Sequence, residues 1–114
     1  MNILVTGGAG FIGSNLTDAL LADGHCVTVL DNFSTGKREN LAHLEGCSSF
    51  TLIEGDIRNR DICAKAVEGK DIVYHEAALG SVPRSIIDPM TSTDVNIGGF
   101  VNMLYAAKEA KVRR

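Results

Sequence analysis

The run Asn2–Thr6 (NILVT) is short, apolar and partly β-branched, and it ends directly in Gly7-Gly8-Ala9-Gly10-Phe11-Ile12-Gly13. A strand that breaks into glycines and then opens a helix leaves few folds available. Gly8, Gly10 and Gly13 satisfy G-x-G-x-x-G, and Gly7, Gly10 and Gly13 satisfy G-x-x-G-x-x-G. Glycine is needed there for three reasons: a tight strand-to-helix turn, close approach of the backbone to a pyrophosphate, and close packing of helix on strand. The helix N-terminus then presents free N–H groups and a partial positive charge to phosphates. Asp31 ends the second apolar run, 18 residues past Gly13. A carboxylate at that point accepts hydrogen bonds from an adenosine ribose and repels a ribose 2′-phosphate, so NAD is expected over NADP. Lys37 and Arg38, close by, weaken that preference.

The remainder of the chain repeats the same alternation. Phe11–Ala22 places Phe11, Ile12, Leu16, Ala19 and Leu20 at helical spacing, and Gly24 stops that helix. Cys26–Leu30, Phe50–Glu54 and Asp71–His75 read as further strands. Lys37–Leu44 and Asn59–Val67 read as helices, the second ended near Gly69. Glu76–Pro89, punctuated by Pro83 and Pro89, reads as a long loop or short helical turn, and Thr91–Val112 as one last helix. Gly98 and Gly99 inside it imply close packing on a neighbour or an approach to a ligand. Apolar strands alternating with helices predict an α/β fold, a doubly wound parallel sheet of Rossmann type.

Composition narrows the function. With 114 residues there is room for one domain. Apolar residues at 45% and charged residues at 22% fit a globular core rather than disorder. No run of about 18 apolar residues or signal-like leader occurs, so neither a membrane span nor secretion is expected. A formal net charge of -3 gives no footprint for nucleic acid. Cys26, Cys47 and Cys63 are odd in number and lack shared close spacing, so they read as free thiols in a reducing cytoplasm, with no metal site.

Five stretches, TGGAGFIGSNL (6–16), LDNFSTGKRENL (30–41), GDIRN (55–59), HEAALGSVPRSI (75–86) and NIGG (96–99), resemble the extended short-chain dehydrogenase/reductase family. They are similar in particular to its nucleotide-sugar epimerases. AALGSVPRSIIDP is most similar to UDP-N-acetylglucosamine 4-epimerases, whose wider group includes UDP-glucose 4-epimerases. The resemblance implies that Gly7, Gly10, Phe11, Ile12 and Gly13 hold the NAD pyrophosphate. It implies that Asp31 and Asn32 bind the adenosine ribose, with Phe33, Ser34, Thr35 and Gly36 walling that side. Asp56 and Ile57 would meet the adenine, Asp56 through the exocyclic amine. Ala77, Ala78 and Leu79 would line the cofactor past its pyrophosphate, and Asn96 would face it from the last helix. Gly80, Ser81 and Arg84 would touch the UDP-sugar. Plainer readings exist beside these: Asp56 as a helix cap, Asn96 bonded to a neighbouring loop, Arg84 as a solvated charge, and His75 as a satisfied core histidine.

Family chemistry uses a Ser or Thr and a Tyr-x-x-x-Lys pair, the lysine lowering the pKa of the tyrosine that acts as base while hydride passes from sugar C4 to NAD. Neither tyrosine here fits. Ala78 stands four positions after Tyr74, and Lys108 only three after Tyr105, which reads as a packing residue. No catalytic residue is therefore assigned in this chain. Family members carry the pair beyond a fifth strand, and Lys111–Arg114 lies where that strand is expected to begin. The chain then reads as the NAD-holding N-terminal part of a 4-epimerase, inactive alone. The alternatives are a stand-alone dinucleotide-binding module and the cofactor half of a dehydratase or decarboxylase. The resemblance also implies the strand order 3-2-1-4, which leaves an exposed edge on the fourth strand where a fifth would pair, and such an edge would favour a homo-oligomer.

Overall fold

The computed structural model describes residues 1–114. Strand β1 (Asn2–Thr6) pairs in parallel with β2 (Cys26–Asp31) on one side and β4 (Ile72–His75) on the other. Strand β3 (Phe50–Glu54) extends the sheet beyond β2, giving the order β3-β2-β1-β4. The register sets Thr6 opposite both Leu30 and His75, and Asp31 opposite Glu54. The carboxyl ends of the strands thus open on one side of the sheet, where parallel α/β folds bind ligands.

Alternate residues of each strand feed two separate cores. Ile3, Val5, Val27 and Val29 pack with Leu20 of helix α1 (Phe11–Ala22) and with Leu41 and Leu44 on one face. Leu4 and Leu30 pack on the other with Cys63, Ala66 and Val67 of α2 (Arg60–Val67) and Met103 and Ala106 of α5 (Phe100–Glu109). Strands covered on both faces explain the near-continuous apolar runs. No helix is long and apolar enough to cross a membrane.

Two segments differ from the sequence expectation, and a third takes one of its two expected forms. Lys37–Leu44 forms two 3₁₀ turns, Arg38–Asn40 and Ala42–Leu44, separated at Leu41. Spacing of three places Leu41 and Leu44 together in the core, which suits a three-residue turn better than an α-helix. Within Glu76–Pro89, expected as a long loop or short helical turn, Val82–Ile87 takes the helical form as α3, capped by Ser81. The single last helix is instead α4 (Pro89–Thr93), a π-helical segment Asp94–Gly99, and α5. The wider π turn keeps Val95 and Gly99 buried in line with Met103 and Ala106. Gly99 lies against the side chain of Ile57, where any Cβ would overlap it. The expectation of close packing at this glycine pair holds at Gly99.

The outer edge of β4 is not bare, as the order of strands alone suggested. After α5 the chain turns at Lys111, with φ 58°, and runs back along β4. Arg113 N–H donates to Asp71 O at 3.0 Å, and Val73 N–H to Arg114 O at 2.8 Å.

Candidate functional site

The glycine turn between β1 and α1 is built by close backbone approach. Gly7 has φ 71°, a conformation that favours glycine, and a Cβ there would lie 2.7 Å from the Ala77 nitrogen. A Cβ on Gly13 would overlap the Gly7 carbonyl oxygen. Helix α1 begins at Gly10 without a side-chain cap and without an acidic residue in its first turn. The backbone N–H groups of Phe11, Ile12 and Gly13 find no acceptor within the chain, because the first helical bond runs from Ser14 N–H to Gly10 O. An uncapped helix end of twelve residues, reached by bare backbone, fits a pyrophosphate. The side chains of Phe11 and Ile12 point to solvent, 82% and 65% exposed, so they would contribute through their N–H groups alone.

Ala9 is the fixed point of the turn. Its N–H donates to Asp31 Oδ2 at 2.8 Å, and its carbonyl accepts from Lys37 N–H at 3.0 Å and Asn40 Nδ2 at 2.8 Å. The other Asp31 oxygen accepts from Phe33 N–H at 2.8 Å. Asp31 is thereby held at the end of β2 facing a cleft of about 440 Å³. Arg38 lies over the Phe33 ring at 4.1 Å and is ion-paired with Glu54. It does not line the cleft.

Asp31, Asn32, Ser34, Thr35 and Gly36 line one wall of this cleft, and Asp56 and Ile57 line another. Gly7 and Gly10 form its floor, and Ala77, Ala78, Leu79 and Arg84 the third side. Most residues named for the cofactor thus meet around one space. Phe11, Ile12, Gly13, Phe33, Asn96, Gly80 and Ser81 do not line it. Asn96, on the π-helical segment, donates to Leu79 O at 2.9 Å and accepts from Leu79 N–H at 2.7 Å. It holds the loop that lines the cleft, as the plainer reading of this asparagine has it. Ser81 spends its hydroxyl capping α3, accepting from Arg84 N–H at 3.2 Å.

Asp56 does not cap the next helix; Asn59 does, accepting from the N–H groups of Asp61 and Ile62. The Asp56 carboxylate accepts from Arg58 N–H at 2.9 Å, from the Arg58 guanidinium at 2.7 Å, and from Asn32 Nδ2 at 3.2 Å. The Arg58 hydrogen bond holds its pKa down at about 2, below the usual 3.8. Beside it, the N–H of Ile57 makes no hydrogen bond within the chain. An acceptor carboxylate next to a free N–H donor matches the amine and ring-nitrogen edge of adenine.

Arg58, also lining the cleft, was missed in the sequence reading. Its second partner, Asp94 at 3.8 Å, is remote in sequence and gave no signal. His75, half-buried at the end of β4, shares a hydrogen bond of 2.8 Å with Thr6 Oγ1, which also accepts from Ala77 N–H. Burial lowers the His75 pKa and favours the neutral ring. Tyr105 is not the packing residue expected: it is 51% exposed on α5, with the Lys108 ammonium 6.0 Å from its ring.

A parallel sheet in the order β3-β2-β1-β4, with a glycine turn at the head of its first helix, defines a Rossmann-type α/β protein. The chain belongs to the NAD dependent epimerase/dehydratase family, which matches residues 3–114. It is 45% identical to UDP-glucose 4-epimerase of Mycolicibacterium smegmatis, over 100% of this chain and 37% of that protein. It is 43% identical to UDP-glucuronic acid decarboxylase 1 of Danio rerio, over 97% of this chain and 25% of that protein. The crystal structure of dTDP-glucose 4,6-dehydratase DesIV from Streptomyces venezuelae, with NAD bound, superposes with a TM-score of 0.93 at 38% identity, covering 100% of this chain and 38% of DesIV. The chain therefore spans between a quarter and two-fifths of the length of these relatives. The family is one of enzymes.

Proposed function

We propose that residues 1–114 form the NAD-holding portion of a nucleotide-sugar 4-epimerase acting on a UDP-hexose or UDP-N-acetylhexosamine. The observation that supports the cofactor assignment is the Gly7–Gly13 turn, whose bare backbone ends at three N–H groups without an acceptor in the chain, next to a cleft that Gly7, Gly10 and Asp31 line. Bound there, NAD supplies a hydride acceptor for the sugar carbon. Phe11, Ile12 and Gly13 hold the pyrophosphate through N–H groups. Asp31 and Asn32 receive the ribose hydroxyls, and Asp31 turns away a 2′-phosphate. Asp56 and Ile57 read the adenine edge. Asn32 or Arg58 must yield a place on Asp56 when the adenine amine arrives, since their hydrogen bonds already surround the carboxylate.

Epimerisation is favoured by the AALGSVPRSIIDP stretch and by the 45% identity to a UDP-glucose 4-epimerase. A second reading, the cofactor half of a dehydratase or decarboxylase, draws support from identities of 38% and 43% to such enzymes. Arg84, at the cleft, is the residue best placed to meet a sugar nucleotide. A homo-oligomer is part of the proposal, supported by exposed apolar side chains at Phe100, Val101 and Leu104 along α5. Incubating the chain with NAD and UDP-N-acetylglucosamine or UDP-glucose tests the division of labour. The reading expects NAD binding and no 4-epimer from these residues alone; epimer formed by them would overturn the assignment of catalysis to residues outside this chain.

A further inference from the structure

Asn102 lies on α5 and lines no part of the NAD cleft. Its carboxamide nitrogen donates to Ile57 O at 3.0 Å and to Arg58 O at 3.2 Å. The Cys63 thiol, on α2, donates to the same Ile57 carbonyl at 3.2 Å. The N–H of that same Ile57–Arg58 peptide donates to Asp56 Oδ1 at 2.9 Å. One peptide unit is thus held at both ends, by two helices on its carbonyl side and by Asp56 on its N–H side. Ile57 is 4% exposed and its side chain is pressed against Gly99, so the turn has little room to settle elsewhere.

We propose that Asn102 is a positioning residue for cofactor recognition: by fixing the Ile57–Arg58 peptide it aims the Asp56 carboxylate at the exocyclic amine of adenine. This rests on the reading of Asp56 given above. Without Asn102 the Ile57 carbonyl keeps only the weak Cys63 thiol donor, so the peptide plane can tilt while the Ile57 side chain stays seated against Gly99, and its N–H then no longer fixes the direction of Asp56. The carboxylate is left to Arg58 and Asn32, both on exposed, adjustable side chains. Asn102 acts only through this backbone and touches no reacting atom.

The test compares the affinity of the full chain for NAD and for nicotinamide hypoxanthine dinucleotide, in which an oxo group replaces the adenine amine. One hydrogen bond to the amine corresponds to a preference for NAD of about fivefold. Asn102→Leu removes both donors, and Asn102→Asp keeps the shape while losing the N–H groups. Both are expected to reduce the preference to below about twofold, an effect that general loosening of the fold would not produce selectively. Asn102→Ser serves the same comparison if either variant fails to unfold cooperatively. Variants that keep the wild-type preference would overturn the role of Asn102 and leave the Asp56 reading intact. A wild-type chain with no preference would overturn the Asp56 reading, and this inference with it.

Discussion

Asp31 and Ala9 are joined by a hydrogen bond of 2.8 Å from the Ala9 N–H to Asp31 Oδ2. The end of β2 therefore fixes the middle of the glycine turn, and the residue expected to meet the ribose also shapes the turn proposed to hold the pyrophosphate. Asp31→Ala leaves the buried N–H of Ala9 and the N–H of Phe33 without acceptors. Hydrogen bonds to charged groups of this kind put the loss at about 2–4 kcal/mol. Urea unfolding should show it, and the variant should lose NAD affinity beyond what its unfolded fraction explains. Wild-type stability in Asp31→Ala would contradict this double role.

Asn96 pairs with Leu79 through both its amide groups, in the manner of a strand neighbour. Asn96→Ala should cost about 1–2 kcal/mol. The Leu79 amide should exchange with solvent roughly tenfold faster, since its protection comes from one side chain. Unchanged exchange at Leu79 would show that the loop is held by other contacts.

Acid should unlock the Asp56–Arg58 pair. Asp56 titrates at about 2 in the folded chain against 3.8 ordinarily, with the Arg58 hydrogen bond as the main cause. A lowered carboxylate pKa adds stability above pH 3.8, and that stability is lost as pH falls through about 2. Arg58→Met should therefore be less stable than wild type at neutral pH, and the gap should close between about pH 4 and pH 2. Urea midpoints taken across that range measure it; a gap constant with pH would exclude the pair as its source.

Burial places the His75 pKa below 6.5. The unfolded chain then binds a proton before the folded chain does, so His75 favours folding above pH 6.5 and loses that contribution as pH falls through its own lowered value. His75→Gln, a neutral ring substitute, should flatten the stability profile on the acid side of 6.5. NMR titration of the ring protons reads the same quantity directly, and a His75 titrating above 6.5 would contradict it.

Much of this was legible in the sequence because the informative contacts are local. Gly7 to Gly13, and Asp31 at the end of the next strand, signal a turn and its partner within one βαβ unit. The order of the four strands came from the resemblance of the whole chain to a known family, since one βαβ unit does not place the third and fourth strands. What was not legible depends on residues far apart in the chain. The π-helical segment includes Gly99, which meets Ile57; the glycine pair signalled close packing, but not its partner 42 residues earlier or the wider turn. Asn102 at Ile57, Asn40 at Ala9 and Arg58 near Asp94 are visible only once the helices are docked. Tyr105 followed the helical apolar period and still faces outward, since periodicity gives a stripe but not the width of its buried part.

The central claim is that the turn from Gly7 to Gly13 holds the pyrophosphate of NAD, with Asp31 excluding a 2′-phosphate. Calorimetric titration of the chain with NAD and with NADP, beside the variant Gly13→Ala, tests it most directly. A methyl group at residue 13 meets the Gly7 carbonyl and should cost about 1–3 kcal/mol of stability through overpacking. Saturable one-to-one binding of NAD is expected, with at least tenfold weaker binding of NADP and loss of NAD binding in a variant still shown to be folded by circular dichroism. Equal binding of NAD by wild type and folded Gly13→Ala would contradict it.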